Sequence, residues 1–130
     1  MIVDTSAIIA ILRQEDDAKI FAEAAASTEN ISISAASWFE AAIVADRFRD
    51  PTVGRRFDEI CRELNLAIVP FDETQARIAR EAYRDFGKGS GHKAQLNFGD
   101  CFAYALAKAM NEPLLYKGTD FSHTDVRPAL

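Results

Sequence analysis

The sequence predicts an α/β domain in which helices cover both faces of a mostly parallel sheet. Three observations carry this reading. Short apolar runs alternate along the chain with single or paired stretches of helical periodicity, an order that makes crossovers rather than hairpins. One stretch near the C-terminus, LNFGDCFAYALAKAM, is apolar almost all round and needs cover on several sides. The 130 residues, 48% apolar and 27% charged, suit one core and one domain over 1–130.

The elements follow in order. Ile2–Val3 is a short strand that stops at Asp4, and SAIIAILRQ is a helix with Thr5 or Ser6 near its start. A second helix runs over about Asp16–Ala26, with acids in its first turn where the helix dipole favours them. Ile31 and Ile33 alternate with Ser32 and Ser34, the period of a half-buried strand. AASWFEAAIVADRF and TVGRRFDEICREL are helices, the latter with Asp58–Arg62 and Arg55–Glu59 as exposed i,i+4 pairs. LAIVPF is a strand, and DETQARIAREAYRDF a helix capped by Asp72. KGSGHKAQ, following Gly87, is the loop expected to move. The apolar helix comes next, then a last strand, PLLY, with TDV as the start of one more.

Composition narrows the function. No apolar run approaches the roughly 20 residues of a bilayer span, which excludes an integral membrane protein. The opening has no basic flank before its apolar stretch, so a cytoplasmic location is expected. Cys61 and Cys101 have no CxxC or Cys/His pairing and read as reduced core residues. A net charge of −5 disfavours wrapping of duplex DNA but leaves a nuclease open, because metal-binding carboxylates count as negative until the ion arrives.

Parallel α/β sheets gather chemistry beyond the carboxyl ends of their strands. Asp4 lies just past the first strand and Asp120 a few residues past the last. Glu40 and Asp100 stand out differently, for their same-face helical neighbours are largely apolar: Ala36, Ser37, Ile43 and Val44 for one, Leu96, Asn97, Ala103 and Tyr104 for the other. A carboxylate there needs a proton, a partner or a cation. Each also has a plain structural reading, as helix cap, first-turn acid or turn residue. His92 and His123 lack zinc spacing, and no DxDxDG loop offers a calcium site. An all-carboxylate set suits Mg²⁺ or Mn²⁺, and the matching chemistry is hydrolysis at phosphorus.

Four blocks, IVDTSAIIAIL, SWFEAAIV, LNFGDCFAYALA and LLYKGTDFSHTDV, occur in this order across about 1–127. Together they resemble the PIN-domain ribonucleases, most closely the VapC toxins of bacterial VapBC toxin–antitoxin pairs. The resemblance implies a PIN-like three-layer α/β/α fold and a catalytic, metal-binding quartet at Asp4, Glu40, Asp100 and Asp120. It also implies Mg²⁺ or Mn²⁺, an RNA substrate, a VapB-type antitoxin and a homodimer. Asp125 is the alternative fourth carboxylate.

Around this quartet, Thr5 and Ser6 are either helix caps or contacts to a metal water or substrate. Asn97 either positions Asp100 or caps the helix, and capping is the favoured reading. Lys88, His92 and Lys93 either supply a positive field for RNA or decorate a solvated loop. Trp38, Phe39, Phe98, Phe102 and Tyr104 read as core or dimer contacts, and Lys117 as at most a phosphate contact. Two other functions compete: a phospho-receiver module with Asp72 as acceptor, and a PIN scaffold without activity. The receiver lacks a second acid beside Asp4 and leaves Glu40 and Asp100 without a purpose.

Overall fold

The computed structural model describes residues 1–130. Its order is β1 (Ile2–Val3), α1 (Thr5–Leu12), α2 (Ala18–Ala26), β2 (Ser32–Ser34), α3 (Ala35–Asp46), α4 (Pro51–Glu63), β3 (Ala67–Val69), α5 (Glu73–Phe86), α6 (Asp100–Met110) and β4 (Leu114–Leu115). The four strands form one parallel sheet in the order β3-β2-β1-β4.

Strand alternation sorts the core into two layers. Val3, Ile33 and Leu115 point to one face, where Ala7, Ile8, Phe21, Ala41, Phe57 and Ile60 of α1–α4 cover them. Ile2 and Leu114 point to the other, against Ala82 of α5 and Cys101, Ala103, Tyr104 and Leu106 of α6. This is the expected three-layer arrangement. The α6 helix is indeed the buried one: Ala103, Ala105 and Leu106 have no exposed surface. No helix is long and apolar enough to cross a membrane.

The structure departs from the expected elements at several points. Ser32 and Ser34 are buried along with Ile31 and Ile33, so β2 is covered on both faces rather than half-buried. Helices lie over both sides of a strand that is interior to the sheet, and a parallel interior strand has no solvent face. The α6 helix starts at Asp100, not Leu96, because Asn97 stops the chain in a capping turn. Thr124–Val126 form no strand; a single bridge, Leu114↔Pro128, takes that place. On α4, Arg56 rather than Arg55 pairs with Glu59, and also with Glu63, so Asp58–Arg62 is not the pair that forms. Both cysteines are free thiols, Cys101 buried and Cys61 half-buried.

The α5–α6 connection is anchored at its base. Gly87 bridges Leu96; Lys88 N–H donates to the Leu96 carbonyl at 2.9 Å, and Leu96 N–H to that of Phe86 at 2.9 Å. Leu96 and Ala94 are buried, and the His92 ring stands edge-on to Phe86. The tip, with Gly89 and Gly91 in left-handed turns, is tied only within itself, by Ser90 N–H to the Gly87 carbonyl and His92 N–H to the Ser90 hydroxyl, both at 3.1 Å.

Candidate active site

The carboxyl ends of β1 and β4 and the N-terminus of α6 meet at one edge of the sheet, and the acids that the sequence singles out are there. Asp4 ends β1 and caps α1. Its Oδ2 accepts from the Ser6 backbone N–H at 2.9 Å and from the Ser6 hydroxyl at 2.6 Å. The side chain is 6% exposed. Burial raises its pKa, the Ser6 and Thr5 hydrogen bonds oppose that, and the Asp120 charge adds to it. Asp4 is therefore a cap and a buried carboxylate facing another acid.

Asp100 opens α6 in a reciprocal box: its backbone N–H donates to Asn97 Oδ1 at 2.9 Å, and its Oδ2 accepts from the Asn97 N–H at 2.9 Å. Asn97 thus caps the helix and aims Asp100 at once. Asp100 is 8% exposed, and its pKa is pushed up to about 6, by burial first and then by the charges of Asp4, Asp120 and Glu40. Glu40, on α3, is also raised, by partial burial and by Asp4.

Glu40 differs from the expectation, and Asp120 does not. Glu40 is exposed, at the rim of a groove of about 660 Å³ walled by Phe39, Ile43, Val44, Arg47, Phe98 and Phe102. A residue on an apolar helical stripe is buried only if another element packs on that stripe, and here the stripe faces the open groove. Asp120 is exposed in the turn after β4, where Gly118 takes a left-handed φ of 94°. The charges of Asp4, Glu40 and Asp120 all reach Asp100, and Asp4 is also coupled to Glu40 and to Asp120. No three of them converge tightly enough to form a finished ligand set.

Asp125 lies elsewhere. It accepts from the Tyr104 hydroxyl at 2.6 Å and from Lys108 Nζ at 2.9 Å, farther along α6, and these hydrogen bonds hold its carboxyl below the usual range. Asp72 caps α5 through the Gln75 N–H at 2.9 Å, beyond the edge strand β3, whereas Asp4 follows β1 two strands away. That placement removes the geometric case for a receiver.

The remaining polar candidates divide. The Thr5 hydroxyl donates to the Ser37 carbonyl at 3.0 Å and ties α1 to α3. The Ser6 hydroxyl, besides donating to Asp4, accepts from the Lys117 backbone N–H at 3.0 Å. Its proton and one lone pair are thus used inside the chain, which leaves one lone pair to accept from a metal water or substrate. Lys88 and Lys93 are exposed on the α5–α6 loop, and His92 Nδ1 accepts from the Ala94 N–H at 3.1 Å. Lys117 is no free phosphate contact: its ammonium meets Glu15 and, at 2.9 Å, Asp17. Sequence reasoning missed this tie between the Asp120 turn and the α1–α2 connection, because the residues are distant in the chain. The aromatics split as well: Tyr104 is buried, Trp38 packs on Phe57, and Phe39 and Phe98 are 62% and 76% exposed.

The donor set decides what the site accepts. Buried carboxylates raised by burial and by neighbouring acids have no positive partner among their hydrogen bonds or ion pairs, and hard oxygen donors of this kind fit a divalent Mg²⁺ or Mn²⁺.

Known proteins resemble this chain over nearly its whole length. Residues 1–127 match the PIN domain family. The chain is 58% identical over 130 residues to ribonuclease VapC28 of Mycobacterium tuberculosis, covering 100% of this chain and 98% of that one. It is 48% identical over 127 residues to ribonuclease VapC of Mycolicibacterium smegmatis, covering 97% of each. Among solved structures, it resembles a chain of a toxin–antitoxin complex from Klebsiella pneumoniae, with a TM-score of 0.73 at 18% identity over 95% of this chain and 92% of that one. It also resembles VapC20 of M. tuberculosis, a sarcin–ricin-loop cleaving toxin, with a TM-score of 0.70 at 16% identity over 98% of each.

Proposed function

The chain belongs to the PIN-domain family, among its VapC ribonuclease toxins, and on that footing we propose that Asp4, Glu40, Asp100 and Asp120 are its catalytic, metal-binding set. The observation that carries the assignment is the pairing of two buried carboxylates, Asp4 from the end of β1 and Asp100 from the start of α6, where burial raises both and the Asp4 charge raises Asp100 further. Mg²⁺, or Mn²⁺ in its place, is the cation these residues would hold, and when bound it supplies Lewis acidity toward water and phosphate. Asp4 and Asp100 form the buried side of the site. Their orientation is preset by Ser6 and Asn97, so little ordering is left for the moment of binding. Glu40 and Asp120, exposed at the rim, are placed to accept hydrogen bonds from the attacking water and orient it toward phosphorus. Water's oxygen bonds to phosphorus as the P–O3′ bond breaks, leaving 5′-phosphate and 3′-hydroxyl ends with the RNA 2′-OH unused.

The substrate is RNA, and the exposed Lys88 and Lys93 supply the positive field that a chain of net charge −5 otherwise lacks. A VapB-type antitoxin is the expected inhibitor, since the family is one of paired toxins and antitoxins and the Klebsiella neighbour was solved in such a complex. A homodimer is supported by Phe39 and Phe98, large apolar side chains that the monomer leaves uncovered. A cytoplasmic location goes with an RNA substrate and a co-encoded antitoxin.

The test is cleavage of RNA by the purified chain with Mg²⁺ or Mn²⁺, and again with EDTA. Activity is expected only with metal, leaving 5′-phosphate ends. Full-rate cleavage in chelator, or 2′,3′-cyclic phosphate products, would overturn the mechanism. No cleavage of any RNA, together with unimpaired growth on expression without the antitoxin, would favour the inactive scaffold.

A further inference from the structure

The glycines of this chain fall into distinguishable kinds. Gly89, Gly91 and Gly118 have left-handed φ values and open space around them, so they are turn glycines. Gly87 sits where a Cβ would come within 2.2 Å of the Tyr83 carbonyl oxygen, a clash with backbone that cannot yield. At Gly54 a Cβ would make an ordinary contact of 3.5 Å with Asp46.

Gly99 matches none of these. Its φ of −63° and ψ of −41° are right-handed helical, open to any residue, and glycine is a poor choice at a helix entrance on propensity alone. What excludes a side chain is a neighbour. A Cβ there would lie 2.8 Å from Glu40 Oε2, 3.5 Å from Glu40 Cδ and 3.3 Å from Asn97 Oδ1. The severe contact is with the far end of one flexible side chain, whereas Asn97 would need to give by a few tenths of an ångström.

We propose that Gly99 is a positioning residue: the side chain it lacks is the space in which the Glu40 carboxylate lies against the start of α6, beside Asp100. This rests on the reading of Glu40 as a member of the catalytic set. Glu40 reaches the site from α3, across the groove from α6, and no hydrogen bond within the chain holds its carboxylate there. The room a side chain at 99 would occupy is therefore what lets it come this close. The consequence is a separation of stability from function. A methyl group at 99 displaces Glu40 from the cluster while leaving the packed core untouched and relieving one like-charge contact on Asp100.

The experiment compares wild type, Gly99→Ala, Glu40→Gln and the double variant in thermal melts with and without Mn²⁺ and in RNA cleavage. Without metal, Gly99→Ala is expected to melt at or above the wild-type temperature. Its Mn²⁺-induced shift is expected to fall, and its cleavage rate to drop by about tenfold or more. Added to Glu40→Gln, the same methyl should cost less than about twofold, because the group it displaces is already disabled. A Gly99→Ala protein with wild-type rate and metal shift overturns the proposal, provided Glu40→Gln is impaired; the catalytic assignment of Glu40 then survives alone. An equal loss in both backgrounds overturns it by showing that the methyl acts through the Asn97 turn. Failure of Gly99→Ala to fold also overturns it, since a movable carboxylate cannot unfold the domain. Wild-type behaviour of Glu40→Gln removes Glu40 from the site, and the positioning role goes with it.

Discussion

Asp100 and Asp125 flank the same helix and respond to charge in opposite directions. Burial and three acidic neighbours push Asp100 up to about 6, so its charge at neutral pH opposes folding. Asp100→Asn keeps the shape and removes that charge. At pH 7.5 without metal it is expected to melt at or above wild type. With Mn²⁺ at a hundredfold excess over Kd, wild type should gain about 2.7 kcal/mol and the variant distinctly less, with cleavage abolished. Equal metal shifts would take Asp100 out of the metal site. Asp125 is the reverse case, held low first by the Tyr104 hydroxyl and then by Lys108. A carboxyl whose folded pKa is below its unfolded value stabilises above the unfolded pKa of about 3.9, and that contribution vanishes as pH falls through the folded value. Its side chain is 58% exposed, so solvent screening limits the effect to about 1 kcal/mol. Urea unfolding of wild type and Asp125→Asn should differ by that amount at pH 7 and converge toward pH 3, with cleavage retained at neutral pH.

At the scale of elements, the α5–α6 connection carries the sharpest expectation. Its base is fixed by the Gly87↔Leu96 bridge and by buried Leu96, so Lys88 and Lys93 are presented from an anchored loop. Replacing both with Ala should raise KM for RNA severalfold with kcat and melting temperature little changed. The log–log salt dependence of binding should weaken by about 0.7 for each phosphate that is no longer neutralised. An unchanged salt slope would assign the loop no part in binding. Element order and type were legible because alternation of apolar strands with helical periodicity is local. Boundaries were less so. The run from Leu96 is apolar enough to continue a helix, yet Asn97 accepts from the Asp100 N–H and makes the first turn a cap. Periodicity registers which residues are apolar and is blind to a side chain that competes for backbone hydrogen bonds.

For the molecule as a whole, the two core layers pack on the two faces of the sheet, and a cluster of the aromatic side chains left over lies on the groove side. Phe98 and Phe102 stack edge-on at 4.9 Å, Phe102 and Phe71 at 4.7 Å, and Phe39 stands uncovered beside them. If a second copy covers this face, Phe39→Asp should shift sedimentation from dimer to monomer while the monomer keeps its fold, since an exposed site costs about 0.5 kcal/mol or less on its own. A dimer that persists at the wild-type dissociation constant would place the interface elsewhere.

Strand ends, helix caps and the order of the acidic blocks belong to the sequence by itself, because each depends on residues a few positions apart. From them follow the α/β class, the placing of Asp4 after β1 and the kinship with PIN-domain nucleases. Depth does not follow. Glu40 and Asp100 present the same apolar helical neighbourhood in sequence, yet α6 is enclosed and Asp100 is buried, whereas the stripe around Glu40 faces the groove. The choice between Asp120 and Asp125 is of the same kind. Tyr104 and Lys108 engage Asp125 along α6, while the charge of Asp120 reaches Asp4 and Asp100. Burial and charge coupling are properties of contacts between distant segments, so packing of α6 between the sheet and α5 decided them; the all-round apolar pattern of α6 announces that it is covered, but not which distant carboxylates meet at its start.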